Sequence, residues 1–314
     1  MKLLIIIPAK NEEETIAQVI KSIPGDIEGV SNIQVLVIND GSSDNTAVVA
    51  KDAGAKVITN KKCLGLARSF SRGLSAALFA GADIIVNTDG DNQYDQAEIP
   101  KLIKPILDGQ ADMVIGDRQV KNLSFMKAGN KYGNLLGSWV LRKLTGVQVS
   151  DASSGFRAFS REAALRLNIS SNHTYTHESI IQAAIKNLSL RDIPISFRER
   201  QVGSSRLISS LLSHIKRSIL TIIRTILMYK PLSAMLCIGT IIALPGFLLG
   251  LRFLYFYSSG QGTGKVQSLI LAALLIMIGF FISVLGLLGD LIAHNRKLNE
   301  EILYNQKKQE IKDA

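Results

Sequence analysis

Acidic residues are absent from a long part of this 314-residue chain, because no Asp or Glu lies between Glu199 and Asp290. Basic residues are frequent there, and they include Arg206, Lys216, Arg217, Arg224, Lys230, Arg252 and Lys265. A basic surface can bind nucleic acid, but here the basic residues alternate with long apolar runs, which indicates an anionic membrane surface instead. We therefore expect membrane lipids as partners, and not nucleic acid.

Cysteine is scarce as well, since Cys63 and Cys237 are the two cysteines of the whole chain. They fall in different predicted regions, so the sequence does not indicate a disulfide framework. The short apolar start of the chain also lacks the small-residue cleavage site of a signal peptide, because it ends in Pro8, Ala9 and Lys10. We interpret that start as a first β-strand.

Two apolar runs in the acid-free stretch are long enough to cross a bilayer. No charged residue interrupts residues 231–251 or residues 266–289, and a membrane helix needs about 20 such residues. A pair of buried core helices is the alternative, but two adjacent runs of this length are rare in soluble domains. We predict a transmembrane hairpin over residues 231–290, with its helices at 231–257 and 266–289.

The segment before the hairpin is basic and amphipathic. Leu211, Ile215 and Ile219 recur at helical spacing, whereas Arg217 and Arg224 lie on another face. We predict a helix over residues 204–230 that lies in the membrane interface, with a core helix as the alternative. Basic residues on both sides of the hairpin place the large domain and the charged tail, residues 291–314, in the cytoplasm. The expected location is therefore the cell membrane, with two passes.

Residues 1–203 have the pattern of an α/β domain. Short apolar runs typical of strands occupy residues 3–7, 33–39, 56–59, 83–88 and 112–116. Helical patterns lie between them, over residues 12–23, 44–53, 66–80 and 97–107. This alternation predicts a mostly parallel sheet with helices on its faces.

Polar loops follow the first, second and fourth predicted strands, over residues 8–12, 39–44 and 89–93. The carboxyl ends of strands are where ligands bind in an α/β sheet. Asp89 and Asp91, one residue apart, can share a hard divalent cation, and Mg²⁺ typically takes one or two carboxylates plus phosphate oxygens. The pattern predicts Mg²⁺ or Mn²⁺ holding a diphosphate. A solvated acidic loop is the alternative, and Asp44 can also simply cap the next helix.

These loops resemble those of the family 2 glycosyltransferases, which have the GT-A fold. Residues 151–157, Asp-Ala-Ser-Ser-Gly-Phe-Arg, and residues 200–206, Arg-Gln-Val-Gly-Ser-Ser-Arg, are similar to motifs of the polyprenyl-phosphate branch. That branch includes dolichyl-phosphate mannose synthases and undecaprenyl-phosphate sugar transferases. The resemblance covers residues 1 to roughly 230. It implies a GT-A nucleotide-sugar-binding domain, followed here by the interface helix and the hairpin.

The resemblance implies roles for the residues that match the family's motifs. Residues expected to bind the substrates are Pro8, Ala9, Glu12, Asp40, Asp89, Lys131, Ser154, Arg200 and Arg206. Residues expected to act in catalysis are Asp91, Arg118 and Glu178, and those expected to hold the metal are Asp89, Asp91 and Gln93. Two positions depart from the family, which often has a second acid where Asn39 stands and an Arg where Lys131 stands. Both departures bear on substrate specificity.

The sequence thus predicts a metal-dependent hexosyltransferase that moves a sugar from GDP-mannose or a UDP-hexose to dolichyl or undecaprenyl phosphate. The second pKa of a phosphate monoester is about 6, so the acceptor is a dianion that needs no strong general base. The family implies inversion at the sugar. Gly246 and Gly250 form a GxxxG pattern compatible with a homo-oligomer. Two alternatives stay open: a transferase of the same fold acting on another lipid or a glycan, and a non-catalytic membrane scaffold.

Overall fold

The computed structural model describes residues 1–126, 128–170, 174–200, 220, 223–260, 264 and 266–313. The chain forms two compact units, of which the first joins Met1–Ile222 to Leu303–Ala314 and the second is Ile223–Ile302. The first unit contains the sheet and the three polar loops. The candidate site therefore belongs to the first unit.

A seven-stranded sheet forms the centre of the first unit. Its strands are β1 (Lys2–Ala9), β2 (Asn32–Asn39), β3 (Lys56–Thr59), β4 (Ile84–Asn87), β5 (Met113–Asp117), β6 (Arg157–Ser160) and β7 (Leu190–Pro194). Their order across the sheet is β3-β2-β1-β4-β6-β5-β7. Strand β6 runs antiparallel to both β4 and β5, whereas the other described pairs are parallel.

In the first unit, helices cover both faces of the sheet. Two further, longer helices form the second unit. Those of the first unit are α1 (Ile16–Lys21), α2 (Thr46–Asp52), α3 (Leu66–Phe79), α4 (Ile99–Leu107), α5 (Ala128–Thr145), α6 (Arg161–Arg166) and α7 (Thr176–Ile185). Short 3₁₀ turns lie at Gln96–Glu98 and Val120–Asn122. The two long helices that follow are α8 (Pro231–Ser258) and α9 (Val266–Asp313).

Strand β1 explains why its sequence is a continuous apolar run. Leu3, Ile5 and Ile7 pack into the core on one face, and Leu4 and Ile6 are equally buried on the other. A parallel central strand is covered on both faces, so it is apolar at every position and does not alternate. Each such side chain contributes about 1.5–3 kcal/mol of burial free energy. The sheet therefore holds the loop after β1 on a rigid base.

The second unit contains two helices that are long and apolar enough to cross a membrane, α8 and α9. They approach closely at glycines: a methyl group on Gly239 would lie 2.6 Å from the carbonyl oxygen of Gly279. A methyl on Gly246 would lie 2.8 Å from the carbonyl oxygen of Ala272. Small residues permit such contacts between membrane helices. Gly246, the first residue of the GxxxG pattern, is thus used within the chain.

The α/β domain with a mostly parallel sheet, followed by two long apolar helices, confirms the predicted fold class. Two details go beyond the sequence. Strands β6 and β7 were not predicted, and α9 continues through the expected tail, where the Tyr304 hydroxyl donates to Glu162 of α6 at 3.0 Å. The predicted interface helix lies largely outside the described residues, although residues 223–229 are helical.

Candidate active site

The loops after β1, β2 and β4 meet at one edge of the sheet. The backbone N–H of Asn11 donates to Ser42 Oγ at 2.9 Å, and that of Ser43 donates to Asn11 Oδ1 at 2.8 Å. Thr15 Oγ1 donates to the carbonyl oxygen of Gly90 at 2.7 Å. The loop after β1 is therefore hydrogen bonded to both of the others.

Three of the predicted substrate-binding residues lie on the β1 loop. Pro8 and Ala9 end the strand and are buried, and the backbone N–H of Glu12 donates to Thr46 Oγ1 at 2.8 Å. A methyl group on Gly90 would lie 3.5 Å from Glu12 Cγ and 3.6 Å from Ala9 Cβ. Ala9 and Glu12 are therefore in near contact with the loop after β4.

Asp40 directly follows β2, and both of its carboxylate oxygens accept hydrogen bonds from the protein. Its Oδ1 accepts from Asn60 Nδ2 and from the backbone N–H of Leu64, both at 2.8 Å. Its Oδ2 accepts from the backbone N–H of Gly65 at 2.8 Å and from Cys63 Sγ at 3.3 Å. Burial alone would raise the pKa of Asp40, but these hydrogen bonds hold it below its usual value. Asp40 thus fixes the loop over residues 60–65.

Asp89, after β4, has the opposite surroundings. It accepts no hydrogen bond from any described residue, and it lies half-buried beside Asp91 at the carboxyl edge of the sheet. Burial and the neighbouring Asp91 carboxylate raise the pKa of Asp89 to about 7. A partly buried carboxylate that lies close to a second carboxylate and has no hydrogen-bond donor is stabilised in its charged form by a cation.

Gly155 closes one side of the Asp89 carboxylate. A methyl group on Gly155 would lie 2.9 Å from Asp89 Oδ2 and 3.0 Å from Oδ1, which is too close for any side chain. The backbone of Gly155 is fixed, because its N–H donates to the Tyr94 hydroxyl at 2.9 Å and its carbonyl accepts from Asn87 Nδ2 at 2.7 Å. Asn87 also donates to the Tyr175 hydroxyl at 2.8 Å. This buried network holds Gly155 against Asp89.

Asp91 is engaged on both oxygens. Oδ1 accepts from the backbone N–H of Gln93 at 3.2 Å, and Oδ2 forms an ion pair with Arg200. Residues 197–200 run along the loop, since the backbone N–H of Arg198 donates to Gln93 O at 2.8 Å. Gln93 Nε2 also donates to the carbonyl oxygen of Arg198, at 3.2 Å. The Arg200 guanidinium is thus the positive group that contacts Asp91 here.

The donor set at Asp89 and Asp91 fits a divalent cation only if substrate oxygens complete it. Among the described residues, no group of three or more His, Cys, Asp or Glu side chains is placed to hold a metal. Two carboxylates with phosphate oxygens are, however, the usual ligands of Mg²⁺ in nucleotide sites. The lack of a hydrogen-bond donor on Asp89 leaves its oxygens available for such a bond.

Arg118 lies at the end of β5 and forms a bidentate pair with Asp151. Its Nε donates to Asp151 Oδ2 at 2.6 Å and its Nη2 to Oδ1 at 2.9 Å, and Nη2 also donates to Ser153 Oγ at 2.7 Å. Asn134 of α5 donates to Asp151 Oδ1 at 2.8 Å. Burial opposes the charge of Arg118, but Asp151 raises the pKa of Arg118 above its usual value. The guanidinium is therefore a permanent cation whose charge is largely balanced by Asp151.

The remaining predicted residues lie at different depths. Lys131 is half-buried on α5, one turn from Asn134. Ser154 is buried, and its hydroxyl has no hydrogen-bond partner within the described part of the chain. Glu178 of α7 is 1% exposed, and its Oε1 accepts from the backbone N–H of Ser170 at 3.0 Å. Arg206 lies outside the described residues.

Arg157 is a site residue that sequence reasoning did not single out. It is fully buried on β6 and its guanidinium donates to the carbonyl oxygens of Ala152, Ser154 and Thr176 at 2.7–2.8 Å. Burial lowers the pKa of Arg157 to about 10, so it stays charged at neutral pH. It ties residues 152–154 to the start of α7. The motif over residues 151–157 contains Arg157, but a buried structural cation cannot be told from a substrate ligand by spacing.

Comparison with known proteins identifies the family of this domain. The glycosyl transferase family 2 model matches residues 4–167, which include β1 to β6 and the carboxylate loop. The chain belongs to glycosyl transferase family 2. This confirms the resemblance seen in the sequence.

Curated relatives extend the match. The chain is 30% identical over 206 residues to a dolichyl-phosphate hexose transferase of Haloferax volcanii, covering 65% of this chain and 86% of the relative. It is 29% identical over 303 residues to an undecaprenyl-phosphate 4-deoxy-4-formamido-L-arabinose transferase of Salmonella choleraesuis. That match covers 93% of this chain and 88% of the relative. The region aligned with this one relative is therefore long enough to include both the family domain and the two apolar helices of this chain.

A solved structure shares the fold. Glucosyl-3-phosphoglycerate synthase from Mycobacterium tuberculosis, in complex with Mn²⁺, UDP-glucose and phosphoglyceric acid, has a TM-score of 0.57 and 24% identity. The match covers 71% of this chain and 79% of that chain. It shows that the first unit has the GT-A-like α/β fold.

Proposed function

We propose that this protein transfers a sugar from a nucleotide diphosphate to a polyprenyl phosphate at a membrane surface. The observation that carries the proposal is the Asp89 carboxylate, which has no described donor and lies beside Asp91 at the carboxyl edge of the sheet. Two curated relatives are named as transferases of dolichyl or undecaprenyl phosphate. GDP-mannose and the UDP-hexoses are the donors to test first.

The nucleotide would bind along the β1 and β2 loops. Ala9 and Glu12 lie beside the β4 loop, so a nucleotide between them would direct its diphosphate toward Asp89 and Asp91. Because Asp40 already accepts four hydrogen bonds, its contribution is to position the backbone of residues 60–65 around the pocket.

Asp89, Asp91 and, by resemblance, Gln93 would hold Mg²⁺ or Mn²⁺. When bound, such a cation supplies Lewis-acid stabilisation of the charge that develops on the departing nucleotide diphosphate. Arg200, now on Asp91, would then be released to pair with phosphate oxygens, for which a guanidinium is well suited.

The acceptor phosphate would approach the side of the site formed by α5 and β5. A dianionic phosphate monoester attacks without a strong general base, so the protein has to offset the repulsion between two phosphate groups. Lys131, Arg200 and Arg206 would supply positive charge, while Asp151 holds Arg118 in one orientation. Direct attack from the face opposite the leaving group would invert the sugar's anomeric configuration.

The membrane arrangement is part of the proposal. Helices α8 and α9 would form a hairpin with both ends in the cytoplasm, because basic residues lie on both sides of it. Reporters fused to the two termini should then respond on the same side of the membrane.

The function is tested with the full chain in lipid nanodiscs, using radiolabelled nucleotide sugars, Mn²⁺ and polyprenyl phosphate. We expect label in a lipid product, and its loss in EDTA and in Asp91→Asn. The control is Asp52→Asn, which removes an exposed acid on α2. Transfer to diacylglycerol or an oligosaccharide instead would favour another transferase. Failure to bind any nucleotide sugar with Mn²⁺ would favour a scaffold.

A further inference from the structure

The end segment of α9, defined as residues 303–313, belongs to the first unit, whereas the rest of α9 belongs to the second. Its half-buried side chains are Tyr304, Lys307 and Ile311, and its other side chains are exposed. These three residues recur at i, i+3 and i+7, which is the spacing of one helix face. One face of the end segment is therefore in contact with the domain that contains the candidate site.

The end segment contacts α6 and the connection that follows α6. The Tyr304 hydroxyl donates to Glu162 Oε2 at 3.0 Å, and the Arg166 guanidinium lies 4.9 Å from the centre of the Tyr304 ring. Glu162 and Arg166 also form an ion pair with each other. Lys307 Nζ donates to Asn168 Oδ1 at 2.9 Å. Two contacts one turn apart fix the end segment in rotation and in register.

Asn168 connects the end segment to α7. Its backbone N–H donates to Gln182 Oε1 at 2.9 Å, and its carbonyl oxygen accepts from Gln182 Nε2 at 2.8 Å. Gln182 is fully buried. Because both ends of the Gln182 amide are bonded to Asn168, the position of Asn168 sets the orientation of that amide. The Gln182 side chain thus depends on where Lys307 holds Asn168.

Gln182 and Ser170 both donate to one oxygen of Glu178. Glu178 Oε1 accepts from Gln182 Nε2 at 3.2 Å, from the backbone N–H of Ser170 at 3.0 Å and from the Ser170 hydroxyl at 2.8 Å. Glu178 is 1% exposed, so protein contacts and not solvent set its orientation. Ser170 lies on the connection that Lys307 contacts, and Gln182 is bonded to that connection.

We propose that the end segment of α9 positions the Glu178 carboxylate, and that Lys307 and Tyr304 are positioning residues of the candidate site. The path runs through three successive contacts, from Lys307 to Asn168, then to Gln182, then to Glu178. The role of Glu178 in sugar transfer rests on the proposed function. A displacement of about 1 Å in a group that orients a substrate can lower a rate by about 100-fold.

The first measurement is amide hydrogen exchange of the full chain in lipid nanodiscs, without substrates. In Lys307→Met, the backbone amides of Asn168 and Ser170 should exchange about tenfold faster, because their acceptors are held less firmly. Lys307→Arg keeps a donor and should restore slow exchange. Tyr304→Phe, which removes only the hydroxyl, should have a smaller effect in the same direction. Lys312→Met is the matched control, since it removes an exposed lysine of the same segment.

The second measurement is a double-mutant cycle on sugar transfer. Lys307→Met should lower kcat by about tenfold and leave KM for the nucleotide sugar nearly unchanged, because orientation is lost and binding is not. In the Glu178→Ala background, Lys307→Met should cause no further loss, since its effect passes through the missing carboxylate. Lys312→Met should leave kcat unchanged in both backgrounds.

Unchanged exchange at Asn168 and Ser170 in Lys307→Met would overturn the inference. An equal loss of kcat with and without the Glu178 carboxylate would also overturn it, because the end segment would then act through another group. If the unaltered chain transfers no sugar, the proposed function fails. The exchange measurement needs no substrate, so it still decides whether the end segment holds the connection that orients Glu178.

Discussion

Asp40 and Asp89 occupy equivalent places, each just after a strand of the same parallel sheet, yet their carboxylates have opposite environments. Asp40 accepts four hydrogen bonds and has a lowered pKa. Asp89 accepts no hydrogen bond from the described residues and has a raised pKa. The first carboxylate is stabilised by hydrogen bonds from the protein. For the second, desolvation and the charge of Asp91 outweigh the positive charges of Arg118 and Arg200, so a bound cation would stabilise it further. The difference separates an acid that supports the fold from an acid that, under the proposed function, binds the cation.

The sharpest way to break this comparison is to neutralise each acid in turn. Asp89→Asn should reduce transfer on the order of 100-fold or more, because it removes a ligand of a Lewis acid that contributes several kcal/mol. Its melting temperature should stay the same or rise, since a buried charge is lost. Asp40→Asn should instead lower the free energy of unfolding by about 1–3 kcal/mol, because one of the two acceptor oxygens becomes an NH2 group and a backbone donor, that of Leu64 or of Gly65, loses its acceptor. Activity assays and thermal unfolding distinguish the two. Equal destabilisation by both variants would contradict the assignment.

The two acids should also give opposite dependences on pH. Because the folded-state pKa of Asp89 is raised from 3.8 to about 7, the native metal-free protein binds more protons than the unfolded chain in that interval. Its unfolding free energy should therefore fall as pH rises through that window, and Asp89→Asn should remove this slope. Asp40 has a lowered pKa in the folded state, so its carboxylate stabilises the fold at every pH above its unfolded-state pKa. This contribution is lost only in acid, as the pH falls through the folded-state pKa.

The affinity for metal should depend on pH through the titration of the Asp89 carboxyl group. Since Asp89 has to lose its proton first, Mn²⁺ affinity should fall by up to about tenfold per pH unit below 7. Calorimetric titrations of Mn²⁺ with nucleotide present, at several pH values, measure this. An affinity independent of pH between 5 and 7 would show that Asp89 is already ionised.

A substitution at Gly155 tests whether the side of the Asp89 carboxylate that faces Gly155 can accommodate a side chain. In Gly155→Ala the new methyl would lie 2.9 Å from Asp89 Oδ2, so the carboxylate has to move. We expect a loss of Mn²⁺ affinity of roughly tenfold, the size typical for a residue that positions a metal ligand. Gly25→Ala is the control, because no heavy atom lies within 4 Å of its new methyl. Unchanged affinity in Gly155→Ala would mean that Asp89 adapts freely.

The smallest effect is expected at Arg200, which forms an ion pair with Asp91. Arg200→Gln should raise the affinity of the nucleotide-free protein for Mn²⁺ by about 2- to 5-fold, because a partly exposed ion pair worth about 0.5–1 kcal/mol no longer competes. Arg198→Gln is a matched control, since Arg198 pairs with Asp95. Manganese electron paramagnetic resonance measures free Mn²⁺ directly. A lower affinity in Arg200→Gln would show that Arg200 organises the site instead.

The sequence was sufficient for the features that depend on short-range patterns. The apolar runs of β1 to β5 and the loops after β1, β2 and β4 follow from periodicity and from strand polarity. Asp89 and Asp91 could be singled out because only Gly90 separates them in the chain. The two long apolar helices follow from length and the absence of charge.

Other features depend on contacts between distant residues, for which one sequence carries no signal. Strand β6 has four residues and begins with Arg157, a charge that the pattern assigns to the surface although it is fully buried. The pairing of Arg118 with Asp151 joins residues 33 positions apart. The saturation of Asp40 requires donors from residues 60–65. Polar side chains can be predicted to lie near a site, but not whether they contact the protein or the ligand.

The place of β6 has a consequence for how the chain acquires its structure during synthesis. Strand β6 is inserted between β4 and β5, and the described partners of β5 are β6 and β7. Strands β1 to β4 can assemble as soon as they leave the ribosome, whereas β5 has to wait until residues beyond Arg157 have been made. During that interval the apolar edges of β4 and β5 are unpaired, which favours aggregation or chaperone binding. Gly155 and Arg157 are synthesised with the strand that ends this exposure, so joining β4 to β5 through β6 and closing the carboxylate loop are a single late folding step.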